Sequence, residues 1–328
     1  MRMLLIIAMA LLQTPDKATQ FPGLPELTAF SKSADTELLA YYSNANVVLL
    51  MKKGESVPLV LETRMSEIKG CCAHRATPAL SHRGEKIAYV HVLAGTPRRE
   101  AIAVFDVAAG KSVDVFESEA IWSVAWSPDD SQLAAVADGE PAQGRSIYII
   151  VPQAGRSAER LHLALDIKGV EYQVSNYSTP SWAPGGKRLA LEFRRRGLGA
   201  SNSSAGAIGM VDLESKAVKE LAEGVEPSWS PVGDEVAYFA RNRKSCFAIR
   251  ESTGEKRLLF TVGQQGAGRG RGPLFFPVVW SPDGKQLLFH QWVDPDLVTD
   301  VYKLDLAIGK SRKVGRSEVQ VVSWRQAN

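Results

Sequence analysis

Cysteine is scarce in this chain: three among 328 residues, none of them in CxxC spacing. That excludes a disulfide framework and a cysteine-based zinc site. Histidine is nearly as rare, at five, and no H-x-H or H-E-x-x-H spacing occurs. No G-x-S-x-G elbow appears, so a serine hydrolase of that type is excluded. Charge of one sign is also lacking. Lys+Arg total 39 against 36 Asp+Glu, a net charge of +3. Nucleic acid and anionic membrane surfaces call for concentrated positive charge, so neither is an expected partner. The apolar run Leu4–Leu12 is nine residues long, whereas a spanning helix needs about 20, so no stable membrane span is expected. What remains is ordinary globular composition, 45% apolar and 23% charged, which excludes a mostly disordered chain.

Met1-Arg2-Met3 precedes that run, and a basic residue before a short apolar core has the form of a secretory signal. Ala8-Met9-Ala10 fits the small-x-small cleavage rule but cutting there leaves little apolar core. No cysteine follows, so a lipid anchor is not expected. Residues 1–25 read as a signal-like segment and linker, and residues 26–328 as one domain. The expected location is periplasmic or secreted.

Self-similarity dominates the rest. Trp126-Ser127-Pro128-Asp129-Asp130, Trp182-Ala183-Pro184-Gly185-Gly186, Trp229-Ser230-Pro231-Val232-Gly233 and Trp280-Ser281-Pro282-Asp283-Gly284 align, each before a short apolar strand such as Leu133-Ala134-Ala135 or Leu287-Leu288-Phe289. Two weaker copies occur at Leu80-Ser81-His82-Arg83-Gly84 and Lys32-Ser33-Ala34-Asp35-Thr36. The anchors at 33, 81, 127, 183, 230 and 281 lie 48, 46, 56, 47 and 51 residues apart, the length of four short strands. Val, Ile, Tyr and Phe alternating with period two exclude a helical solenoid. The motif is a β-turn: Pro presets φ, Asp bonds the local backbone, and Gly takes the conformation other residues resist. The tryptophan before it supplies packing surface between neighbouring units.

These turns and the strands after them resemble the TolB-type, WD40-like (PD40) β-propeller repeat, from about Ser33 to Trp324. The resemblance implies an all-β, six-bladed propeller of four-stranded antiparallel blades. The first unit has Lys32 where the others carry Trp or Leu, and the C-terminal run Val319–Trp324 ends in a surplus Trp. The C-terminal strand is therefore expected to complete the first blade and close the ring, beside Leu39–Tyr42. About 20 residues separate the apolar run from the first repeat, too few for the small α/β domain that precedes the propeller in TolB proteins.

Candidate chemistry is thin. Propeller lyases similar to oligogalacturonate lyase hold a metal with several histidines. His74, His82, His91, His162 and His290 are scattered here, with His91 and His290 expected just beyond the second strand of their blades. Turn or surface positions suit them better than a metal site. Cys71-Cys72-Ala73-His74 places three soft ligands together, though two small residues under a loop is the simpler reading; Cys246 reads as core. Asp294-Pro295-Asp296 with Asp300 reads as a solvated hairpin tip, with a weak calcium site as the alternative. Arg194-Arg195-Arg196-Gly197 reads as the start of a long polar hairpin loop, and Gly268-Arg269-Gly270-Arg271-Gly272 as a loop without the aromatic interleaving of an RNA-binding tract. No catalytic residue, metal or cofactor is assigned.

A rigid ring with variable loops suits recognition more than chemistry. The expectation is an exported, monomeric, non-enzymatic propeller that binds a protein or peptide on its channel face; the alternative is a channel-centred lyase or hydrolase acting on a glycan or lactone. The loops between one blade's last strand and the next blade's first, Lys69–Arg75, Asp166–Asn176 and Gly263–Pro273, are the expected contact surface. Tyr172, Tyr177, Arg269 and Arg271 are its candidate contacts, because aromatic and Arg side chains dominate interface energetics.

Overall fold

The computed structural model describes residues 24–34, 36–42, 47–51, 59–62, 76–95, 97, 99–139, 145–163, 166–167, 169–175, 178–195, 206–262, 277–292, 299–317 and 320–326. They form one helix, α1 (Leu24–Ser33), and six antiparallel sheets. Blade 1 holds β1 (Thr36–Tyr42), β2 (Val47–Met51) and β3 (Leu59–Glu62). Blade 2 holds β4 (Ala79–Leu80), β5 (Lys86–Leu93), β6 (Arg99–Asp106) and β7 (Lys111–Ser118). Blade 3 holds β8 (Ile121–Trp126), β9 (Leu133–Asp138), β10 (Arg145–Ile150) and β11 (Glu159–Leu161). Blade 4 holds β12 (Asp166–Ile167), β13 (Val170–Val174), β14 (Ser181–Trp182), β15 (Arg188–Arg195), β16 (Gly206–Asp212) and β17 (Val218–Glu223). Blade 5 holds β18 (Val225–Trp229), β19 (Glu235–Phe239), β20 (Ser245–Arg250) and β21 (Lys256–Thr261). Blade 6 holds β22 (Val279–Trp280), β23 (Gln286–Trp292), β24 (Thr299–Asp305) and β25 (Lys310–Ser317), and β26 (Gln320–Gln326) returns to pair with β1. The molecule is a six-bladed β-propeller.

Blade stacking explains the apolar strands. A strand inside a blade is covered on both faces, so it loses polar alternation. In β9, Ala134 and Val136 face the core shared with blade 4, while Leu133, Ala135 and Ala137 face the core shared with blade 2. The motif tryptophans sit in these seams, and three of them add a bond across the seam. The indole N–H groups of Trp126, Trp182 and Trp280 donate to the carbonyls of Ala79, Ala125 and Ser228, at 3.0, 3.2 and 3.0 Å. Each of those carbonyls belongs to the inner strand of the preceding blade.

The motif turns hold their shape through one repeated device. The Ser127 hydroxyl donates to Asp129 Oδ1 at 2.6 Å and accepts the Gln132 N–H at 2.9 Å; Ser281 does the same with Asp283 and Gln286. Three residues after the anchor the backbone goes left-handed, at Gly84, Gly186, Gly233 and Gly284. Blade 3 puts Asp130 there, at φ 60°. Its carboxylate accepts the His82 and Arg83 N–H groups of the preceding blade's turn, at 2.5 and 2.9 Å, which offsets the backbone strain. Asp130→Ala keeps the strain and removes both bonds, so it is expected to cost about 2 kcal/mol in urea unfolding. Asp130→Gly, which relieves the strain, is expected to cost about half as much. Equal losses for the two would contradict this account.

Ring closure follows the sequence expectation. In β26, Trp324 pairs with Leu38, Ser323 with Leu39 and Val321 with Ala40. The first unit itself departs from it. Lys32 and Ser33 do not form a degenerate turn; they are the last turn of α1. That segment has neither the Pro nor the Gly of the turn motif, while Leu27, Phe30 and Ala34 fall on one helical face, with Pro25 in the first turn. Leu27 and Phe30 pack with Leu38, Leu49, Leu288, Val301, Val314 and Trp324, which plugs the seam between blades 6 and 1. The Phe30 and Trp324 rings meet edge to face at 5.5 Å.

His290 of blade 6 is buried against the same closing strand, its Nε2 3.2 Å from the Val321 nitrogen, whose N–H it accepts. Burial lowers its pKa to about 4, against the opposing effect of the Val321 carbonyl 3.4 Å from the same nitrogen. Unfolded, the ring titrates near 6.5. Between those values only the unfolded chain takes up the proton. Stability is therefore whole above pH 6.5 and falls as pH drops through 4, by about 3 kcal/mol from this residue. His290→Gln should flatten that part of the stability–pH curve, and an unchanged slope would assign it to other groups.

Candidate functional site

Strand direction gives the ring two unlike ends. In blades 2, 3, 5 and 6 the first strand starts, the second ends and the third starts at one end; blade 3 shows this with Ile121 opposite Ala137 and Asp138 opposite Arg145. The motif turns lie at the other end, fixed by the bonds above.

At the loop end, in the seam between blades 4 and 5, two carboxylic side chains are buried: Glu192 of β15, 1% exposed, and Glu226 of β18, 2% exposed. Along β15, Leu191 and Phe193 face blade 3 while Ala190 faces blade 5, so Glu192 sits on the blade 5 side. Glu192 Oε1 accepts the Ser175 hydroxyl at 2.9 Å, and its N–H donates to Ser178 Oγ at 2.7 Å. These serines lie in the break between β13 and β14. Ser123 of blade 3 donates to the Ser178 carbonyl at 2.7 Å and holds that break in place.

Glu226 reaches the seam through a distortion. The pairing of β18 with β19 shifts register between Val225 and Ser228, and Glu226 takes φ 56°. Opposite it Arg243, at φ 54°, places Nη1 3.6 Å from Glu226 Oε1. Arg194 Nε lies 3.5 Å from Glu192 Oε1. Two of the four left-handed non-glycine residues among those described thus face each other across one Arg–Glu contact. Strain of this kind persists only where the surroundings enforce it. Glu192 Oε2 and Glu226 Oε1 have no hydrogen-bond partner among the described residues. Burial, and then the nearby Glu192 carboxylate, raise the Glu226 pKa well above the carboxylate range; Arg243 and Arg194 oppose this only in part. Glu226 therefore favours its protonated form near neutral pH.

The residues chosen from sequence are placed differently. Tyr172 is 5% exposed and belongs to the core with Val174 and Phe193. Its hydroxyl lies 3.4 Å from Glu220 Oε2. The expected loop 166–176 is largely a hairpin of β12 and β13; Tyr172 and Val174 point inward because strand residues alternate, so the Tyr172 ring is packing, not surface. Tyr177, Arg269 and Arg271 lie outside the described residues, as do Cys71, Cys72, His74 and the Asp294–Asp296 tip. Arg194 and Arg195 are strand rather than loop. Asp300 is not solvated: it is buried and its carboxylate meets Lys313 Nζ at 2.8 Å. Cys246 is fully buried in the core, as expected, and burial pushes its thiol pKa up.

The histidines diverge. His91 and His290 lie within their second strands, not beyond them. His91 Nε2 meets Asp114 Oδ1 at 2.8 Å, His82 is in a motif turn, and His162 is exposed. Among the described residues no three His, Cys, Asp or Glu side chains gather as metal ligands.

Sequence reasoning missed Glu192 and Glu226. The available signals were a carboxylate interrupting the apolar run Leu189–Phe193 and a Glu-Pro pair just before the Trp229 motif.

No family model and no curated protein sequence matches the chain. Solved structures do. TolB from Acinetobacter baumannii matches with a TM-score of 0.61 at 16% identity, over 88% of this chain and 66% of that one. A putative TolB from Agrobacterium tumefaciens matches with a TM-score of 0.54 at 14% identity, over 88% and 92%. An oligogalacturonate lyase in complex with manganese matches with a TM-score of 0.51 at 15% identity, over 72% of this chain and 63% of that one. At these identities the likeness is one of fold, and that fold serves both a TolB and a lyase. No helix among the described residues is long and apolar enough to cross a membrane.

Proposed function

We propose that this chain is an exported, non-enzymatic, monomeric propeller that docks a protein or peptide partner at the loop end of its channel. One observation carries the reading. The motif turns at one end are committed to backbone geometry, whereas two buried carboxyls meet at the other, in the Glu192–Glu226 seam. Tyr177, Arg269 and Arg271 stay as candidate contacts. Export rests on the segment Met1–Leu12, ahead of the propeller domain.

The test is capture of the native partner by full-length protein altered at each end in turn. Arg269→Ala with Arg271→Ala should weaken capture. Asp129→Ala with Asp283→Ala, in the motif turns, should leave it intact. The reverse pattern would refute the reading.

A second reading, a glycan lyase or hydrolase, is favoured by one feature: a carboxyl with a raised pKa beside a second carboxylate is a layout used for acid–base work. Burial of both groups, at 1% and 2% exposure, weighs against it.

A further inference from the structure

The seam between blades 4 and 5 is held differently at its two ends. At the motif end it is tied by bonds that cross it. The Trp229 N–H of blade 5 donates to Ser181 Oγ of blade 4 at 2.7 Å. Arg188 and Lys219 of blade 4 both meet Glu251 of blade 5, at 2.7 and 3.0 Å. At the loop end the blades approach just as closely. A Cβ on Gly206 of blade 4 would lie 2.9 Å from the Gly224 carbonyl and 3.2 Å from Val225 Cγ1 of blade 5. What fills that end, however, is the carboxyl pair. Arg194 Nε and Arg243 Nη1 stand off from it by 3.5 and 3.6 Å, whereas a charge-assisted hydrogen bond spans about 2.7–2.9 Å. Glu192 Oε2 and Glu226 Oε1 are both buried and unbonded among the described residues. Two ionised carboxylates are costly to enclose in such a place.

We infer that the Glu192–Glu226 pair is a proton-held gate: one proton lets blades 4 and 5 close at the loop end, and opening that end releases it while the motif end stays tied. For its consequence, that a partner is held less well as pH rises, this rests on the reading of the loop end as the docking face.

The charged and titratable groups that face Glu226 are few. Strand β15 supplies Glu192 and Arg194, and the connection between β19 and β20 supplies Arg243. Arg195 shares the blade 3 face of Leu191 and Phe193. Arg241 meets Glu223, at the end of β17, at 3.2 Å. Arg188, Asp212, Glu235 and Arg250, on the packed strands, lie at the motif end. Tyr238 and Cys246 are the other titratable groups of β19 and β20 in these cores, and burial raises the pKa of both. Burial, then Glu192, raises the Glu226 carboxyl to about 8, with Arg243 and Arg194 opposing. Opened to water, it ionises near the ordinary glutamate value. Between those two values opening releases a proton. The opening equilibrium therefore grows about tenfold per pH unit and levels off once the closed form ionises too.

The test is hydrogen-exchange mass spectrometry of the full chain from about pH 5.5 to 8.5, with rates corrected for intrinsic exchange. Opening at residues 192–194 and 224–226 should rise about tenfold per pH unit up to about pH 8. It should exceed global unfolding, read from the core strands β5 and β6, by roughly tenfold or more. Trp229, at the tied end, should follow β5 and β6. Glu226→Gln should abolish the slope at the loop end. Glu192→Gln leaves burial as the main cause, so it should only lower the pH at which the rise levels off. Opening no greater than that of β5 and β6 would place the proton in global unfolding alone. That result, an absent slope, or the same slope in Glu226→Gln would overturn the gate. Exchange needs no partner, so failure of the end-specific capture pattern would refute the docking reading and leave the gate standing. Where capture does map to the loop end, it should weaken from about pH 6 to 8.5 in the natural sequence but not in Glu226→Gln. Equal weakening in both would overturn its regulatory role.

Discussion

Deleting residues 320–328 is expected to leave the protein unfolded or aggregated, and Trp324→Ala to cost about 3–5 kcal/mol. The closing strand is the inner strand of blade 1, so without it β1 has one free edge and the ring is open. Unpaired edges of this kind recruit other chains. Trp324 is 2% exposed and fills the blade 6–blade 1 seam with Leu27, Phe30, Leu288 and Val301. Truncating it empties the volume that the helix and two blades share, and α1 loses its edge-to-face partner. A domain is typically stable by about 5–15 kcal/mol, so the loss is a large fraction of the whole. Urea unfolding of the full chain measures it. A cost under about 1 kcal/mol would mean that closure contributes little to the fold.

The second large effect is on pH dependence. Glu226→Gln is expected to stabilise the protein on the alkaline side, by on the order of 3 kcal/mol. The native carboxyl holds its proton above the usual range because it is buried and faces Glu192. Unfolded, it ionises near the ordinary glutamate value. Its favourable contribution is therefore complete below that value. It is lost as pH rises, until the folded carboxyl ionises too. Glutamine is neutral at every pH and keeps the shape, so it removes the slope. The effect has the opposite sense to that of His290, which costs stability toward acid. Together they predict a dome whose alkaline limb alone flattens in Glu226→Gln. Parallel curves for the two proteins would show that Glu226 is ionised in the fold.

The ring was legible in the sequence because each blade repeats a turn with strict chemistry. Ser-Pro-Asp-Gly fixes φ and hydrogen bonds locally, so four sharp copies place the blades. The weak fifth at Leu80–Gly84 still has its glycine in the left-handed position. Closure was legible for a negative reason, a missing Trp at Lys32 and a spare one at Trp324. The helix α1 was not, because Ser33 keeps the spacing of the turn anchors although the segment has helical periodicity. Val170, Tyr172 and Val174 alternate as a strand does, but the unusual length of that blade made the stretch read as a loop.

The Glu192–Glu226 seam was beyond sequence reading for a different reason. Each carboxylate belongs to its own blade, and only the stacking of blades brings them together. Nothing in either local pattern marks Glu226 as left-handed; that conformation comes from the register shift of β18 against β19.

The central claim is that recognition belongs to the loop end of the ring. Hydrogen-exchange mass spectrometry of the full chain, free and with its captured partner, tests it most directly. Protection is predicted at the strand ends around Ile121, Asp138, Glu192–Arg195, Glu223–Glu226 and Arg241–Ser245. Protection confined to the motif turns around Ser81, Ser127, Ala183, Ser230 and Ser281 would contradict it.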